Sequence, residues 1–206
     1  MAQSLYQRAM QDHPIGQNPS WMDGVHVIAL DWTRAAAPSS NNLNRIRYAY
    51  TQAVKNALLV SQFVGNHMND LITDHYRNPN SPFAHVHCLG HGVGAHICGV
   101  SSEVFKNGRP FWKPYNRITA LDPARVLFED SDDGFQVHNT EKLDKSDAYF
   151  VDAIHTTSVY GFNGRAGLVD HYVNNEYYSG YGNSPVQISQ LQPGCSTYCM
   201  ILLVLH

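Results

Sequence analysis

Between Phe83 and Val100 the chain reads FAHVHCLGHGVGAHICGV, and few folds accommodate such a stretch. Ala84, Val86 and Cys88 alternate as in a strand. The chain then enters Gly90, His91, Gly92, Val93 and Gly94 and continues into a small-residue helix from Ala95 to Val104. A strand, a sharp turn and a helix in that order make the frame of a nucleophile elbow, whose apex is held in a strained conformation between small neighbours that let strand and helix close on each other. The apex here is Gly92, flanked by Gly90 and Gly94. Acyl transfer by such a frame uses an attacking hydroxyl, and glycine has none.

The rest of the chain supplies alternating elements. Gln3 to Met10 predicts a short helix, broken by His13-Pro14 and Asn18-Pro19. Val25 to Asp31 is an almost continuous apolar run, the pattern of a strand buried on both faces of a parallel sheet. Ala35 to Asn44 predicts a loop. From Arg47 to His75 the stripe Val54, Ala57, Leu58, Ser61, Gly65, Met68, Leu71 and Ile72 predicts a long helix laid against a sheet. Arg117 to Leu121, Tyr149 to His155 and Leu168 to Val173 follow as strands. Strand and helix in this rhythm argue for an α/β fold with a mostly parallel sheet. Asp122 stands at the C-terminal end of its strand, where functional groups gather in open α/β sheets; its bland alternative is capping the turn at Pro123.

These pieces resemble, in order, motifs of the pancreatic-lipase family, whose insect branches include phospholipases A1 and lipase-like yolk proteins. GHGVGAHICG at Gly90–Gly99 is similar to GHSLGAH, VHVIALDW at Val25–Trp32 to NVIVVDW, and ITALDPA at Ile118–Ala124 to ITGLDPA. SDAYFVDAIHT at Ser146–Thr156 resembles SDADFVDVIHT, Gly167 to Asn174 resembles GHVDFYPN, and QPGC at Gln192–Cys195 matches as it stands. The resemblance implies a single α/β-hydrolase-like domain over residues 1–206, with helices flanking the sheet, lacking the family's first strands and its C-terminal part. An open sheet edge would follow, and with it self-association or a partner chain.

The resemblance further implies roles for individual residues. Asp122 is the remnant triad acid, Gly92 the vacant nucleophile position and Val93 the donor of one oxyanion N–H. His206 is the one histidine downstream of Cys195, but its offset of seven residues from Cys199 fits the family's base poorly. His155 belongs to a structural motif and reads as a packed imidazole. Losing a nucleophile costs about 10⁶ in rate in a comparable triad, so the expectation is a catalytically inactive homologue with a storage, yolk-like or lipid-binding role. The alternative is a secreted lipase or phospholipase A1 represented by an incomplete or altered sequence. No cofactor is required. A structural calcium site is implied at Asn139, Lys142, Asp144 and Asp147, on oxygen ligands that suit calcium; the competing reading is a solvated acidic loop.

Composition bounds the partners. Of 206 residues, 43% are hydrophobic and 15% charged, with a net charge of −3 and no Lys/Arg cluster, which argues for a globular protein and against nucleic acid. A lipid or acyl chain remains the expected ligand. No stretch is long and apolar enough to span a membrane, and Met1 to Asp12 is too polar for a signal peptide. The family's relatives are generally secreted, so the expected location is extracellular, although no Asn-x-Ser/Thr sequon supports it. Cys88 and Cys98 read as small buried hydrophobes, and Cys195 with Cys199 as a pair able to close a very short loop.

Overall fold

In a computed structural model of the protein, residues 26–36, 43–76, 85–108, 113–129, 137–138, 141–156, 161–173 and 201–205 are described. The expected helix at Gln3 to Met10, the pair Cys195 and Cys199, Asn139 and His206 lie outside them.

The described chain runs β1 (His26–Leu30), α1 (Thr33–Ala36), α2 (Leu43–Tyr76), β2 (Val86–His91), α3 (Val93–Asn107), β3 (Tyr115–Leu121), β4 (Ala148–His155), β5 (Val169–Tyr172) and β6 (Ile201–Leu205). The six strands form one sheet in the order β1-β6-β2-β3-β4-β5. From β2 to β5 the neighbours are parallel. β6 is antiparallel to both β1 and β2, with Leu203 in register with Ile28 on one side and Cys88 on the other. The apolar tail therefore joins β1 to the parallel sheet from an interior position, a place that no pattern within Ile201–Leu205 specifies.

β2 shows the two-residue period of a strand with one side against a helix: Val86, Cys88 and Gly90 are buried, while His87, Leu89 and His91 are partly exposed. The buried side meets α3, where every residue from Val93 to Gly99 is buried. A Cβ on Gly90 would stand 2.3 Å from the carbonyl oxygen of Gly94, so glycine at position 90 sets how closely strand and helix approach. Six positions into α3, Cys98 forms a disulfide with Cys88, Cα to Cα 5.8 Å. The reading of these two cysteines as free hydrophobes is corrected by that bond: parallel packing of strand and helix brings together side chains ten positions apart.

α2 buries Val54, Ala57, Ser61, Gly65, Met68 and Ile72 of its expected stripe. Its main partner is α3 rather than the sheet. At Gly65 an added Cβ would lie 2.6 Å from both Ser101 O and Val104 Cβ, a crossing close enough to require a small residue. The loop expected at Ala35 to Asn44 also needs correction. Trp32 O accepts from the amides of Ala35 and Ala36 and closes α1, and α2 begins at Leu43.

On the sheet surface turned away from Cys88, side chains tie three strands together. His87 Nε2 lies 2.9 Å from Thr119 Oγ1, Thr119 Oγ1 donates to Asp152 at 2.9 Å, and Arg117 donates to both oxygens of Asp152 at 3.0 and 2.8 Å. Burial by itself would raise the Asp152 carboxyl, but the bonds from Arg117 and Thr119 outweigh it and hold the group below its ordinary value.

Candidate active site

Gly92 has φ 58° and ψ −120° between β2 and α3. Positive φ costs an L residue its Cβ clearance, and glycine adopts it without that penalty. Both backbone groups of the apex are engaged with the end of β3. Gly92 N donates to Leu121 O at 3.0 Å, and Gly92 O accepts from Ala124 N at 3.1 Å and from Ala95 N at 3.2 Å. Val93 opens α3, so its N–H belongs to the first turn, whose amides have no intrahelical acceptor and carry the positive end of the helix dipole. Gly92 thus stands at the turn between β2 and α3, and Val93 at the first position of α3.

Asp122 lies one residue past β3, also with positive φ, 44°. Its own N–H donates to Ile154 O at 2.7 Å. Its carboxylate accepts from Thr156 N at 2.5 Å through Oδ1 and from the Thr156 hydroxyl through Oδ2. Gly92 and Asp122 are brought to the same end of adjacent parallel strands, since His91 is in register with Leu121.

His96, the histidine of the GAH stretch, is buried. Leu143 N donates to its Nδ1 at 3.1 Å, which places the ring proton on Nε2, 2.8 Å from Ala124 O. Phe128 stacks on the ring at 3.7 Å. Burial pushes His96 down to about 3, against a smaller lift from the Ala124 carbonyl, and keeps it neutral. His96 thereby fastens α3 to the turn that follows Asp122, a role that the sequence reading missed.

His155 is fully buried, with Nε2 2.9 Å from Asp170 Oδ1 and Tyr172 stacked at 4.6 Å. It is the packed imidazole expected for its motif. Asp170 also accepts from the amides of Ala166 and Gly167.

Three of the four positions considered for calcium are described. Lys142 Nζ donates to Phe128 O at 3.1 Å and lies over the Phe162 ring, Asp144 accepts from Ser146, and buried Asp147 accepts from the Asp144 amide at 2.7 Å. Burial, with Glu103 and Asp144 nearby, raises Asp147 to about 7. Among the described residues no group of three or more His, Cys, Asp or Glu side chains is arranged to hold a metal.

An elbow between a parallel strand and a helix, with an aspartate at the end of the next strand, is the arrangement the sequence motifs describe. A profile of the family described as Lipase matches residues 15–201. The chain belongs to the lipase family. Its relatives include phospholipase A1 of Vespula maculifrons, 32% identical over 157 residues, covering 74% of this chain and 47% of that protein. Phospholipase A1 of Vespula vulgaris is 31% identical over 180 residues, covering 85% and 45%. Phospholipase A1 4 of Polistes dominula is 32% identical over 175 residues, covering 85% and 47%. This lipase-family chain spans about half the length of the curated relatives it matches. The expectation of a non-enzyme, drawn from Gly92, is overturned by these relatives: they are named as phospholipases A1, so the chain sits among enzymes. Its sheet, parallel over four strands and flanked by helices, is α/β-hydrolase-like. Among the described residues no helix is long and apolar enough to cross a membrane.

Proposed function

We propose that this chain carries a carboxylic-ester site of the phospholipase A1 type, which takes the acyl ester of a phospholipid against the N-terminus of α3. The observation that carries the proposal is the conformation of Gly92, φ 58° and ψ −120°, fixed by hydrogen bonds to Leu121 and Ala124 beside Asp122. In this reading the N–H of Val93 meets the carbonyl oxygen where negative charge develops, and Asp122 is the acid that orients a base. Position 92 aims at the ester carbon. Glycine brings no attacking atom; in Gly92→Ser the hydroxyl attacks the carbonyl carbon and gives its proton to the base, which passes it to the departing alcohol, and water then cleaves the acyl-enzyme. His96 and His155 are committed to Ala124 and Asp170, and neither is assigned as the base. An extracellular location accords with the Cys88–Cys98 disulfide, a bond that oxidising compartments preserve.

The test is turnover of a short-chain ester and of phosphatidylcholine vesicles by the chain beside its Gly92→Ser variant. Turnover at least about 10²-fold higher in the variant is expected. Equal turnover in the two proteins would move the attack away from position 92. Absence of both turnover and phospholipid binding in both would overturn the proposal. Phospholipid bound without turnover in either would favour the lipid-carrying role that the yolk-protein resemblance implied.

A further inference from the structure

Thr156 has no role in the motif reading, and in the fold it meets the candidate acid from a separation of 34 residues. β3 and β4 end side by side with Leu121 in register with Ile154, so the residues just beyond them converge at one end of the sheet. The Asp122 amide donates to Ile154 O at 2.7 Å. Two residues further along β4's line, Thr156 returns two donors. Its amide reaches Oδ1 at 2.5 Å and its hydroxyl reaches Oδ2.

The terminal torsion of an aspartate is broad and roughly two-fold, so one hydrogen bond leaves the carboxylate free to swing. Donors on both oxygens remove that freedom, and bonds to an ionised acceptor are short and strong. A threonine suits the task because its β-branch restricts χ1 and keeps the hydroxyl aimed. Thr156 is itself exposed, so core packing does not account for its placement. We propose that Thr156 is a positioning residue for Asp122, fixing the plane of the carboxylate that orients the base in the ester reaction. This rests on the ester-site reading above. Thr156 keeps its proton throughout and acts only as a donor.

Two measurements separate the grip from its use. In the unaltered chain, the Thr156 amide proton should resonate far downfield and move upfield in Asp122→Ala; no movement would overturn the proposal. In a Gly92→Ser background, Thr156→Val keeps the β-branch and the amide but removes the hydroxyl, while Thr156→Ser restores it. Thr156→Val should lower kcat by about 10- to 100-fold with KM within about two-fold, and Thr156→Ser should recover most of the loss. Unchanged kcat in Thr156→Val would overturn the proposal, as would a loss that Thr156→Ser fails to rescue. If Gly92→Ser shows no turnover, the ester-site reading fails. A crystal structure of Thr156→Val then decides the positioning role: more than one orientation of the Asp122 carboxylate supports it, and a single unchanged orientation overturns it.

Discussion

The amide of Ala124 donates to the carbonyl of Gly92 at 3.1 Å, so the apex of the elbow and the turn following the candidate acid are joined through the backbone. Gly92 returns a bond to Leu121, on the other side of Asp122. Position 92 and position 122 are thus fixed relative to each other by peptide groups. A serine at position 92 would have to adopt φ 58° within this frame. Gly92→Ser should therefore cost about 1–3 kcal/mol of stability, read as a lower urea midpoint with an unchanged m-value. Loss of cooperative unfolding would show that the frame cannot hold a side chain there.

The bridge between Cys88 and Cys98 encloses the elbow, and both residues are fully buried. Closing a loop of this length contributes about 2–3 kcal/mol through the unfolded chain. Replacing both cysteines with alanine should lower stability by that order in denaturant titration. A double variant as stable as the parent would show that the packing of β2 on α3 is sufficient alone.

His96 gives the protein an acid-sensitive point. Its folded value of about 3 lies below the 6.5 of an exposed imidazole, so between those limits the unfolded chain binds the proton and the folded chain does not. Stability from this group is fully present above about pH 6.5 and declines as pH falls toward 3. The pH dependence of urea unfolding should show this decline, and a His96→Gln variant, though less stable at pH 7, should show a flatter slope across the same window. An identical slope in the variant would assign the acid sensitivity to other groups.

β1 is held in the sheet by β6, which lies between it and β2. Removing residues 201–206 should deprive β1 of its hydrogen-bonded neighbour and leave the parallel block from β2 to β5 intact. Hydrogen exchange checks this: protection at His26–Leu30 should be lost while that of Ile118 and Val151 survives. Retained protection in β1 would mean that another strand pairs with it.

Sequence alone determined the elements with strong local period and their order. β2, α3, β3 and β4 appear where alternation, small-residue packing and apolar runs placed them, because those patterns arise from which side of each element is buried. Gly92, Val93 and Asp122 were legible for the same reason: an apex, the amide after it and the end of a strand are positions along one chain. Tertiary structure decided what depends on distant pairs. Whether Cys88 meets Cys98 depends on how β2 lies on α3, and a long apolar stripe on α2 reads the same whether a sheet or α3 covers it. The run Ile201–Leu205 carries no period that distinguishes an interior antiparallel strand from an edge. Only the side-by-side ends of β3 and β4 bring Thr156 to Asp122, and only the fold gives His96 its two partners, because hydrogen bonds across 34 and 47 residues leave no spacing in the sequence to read.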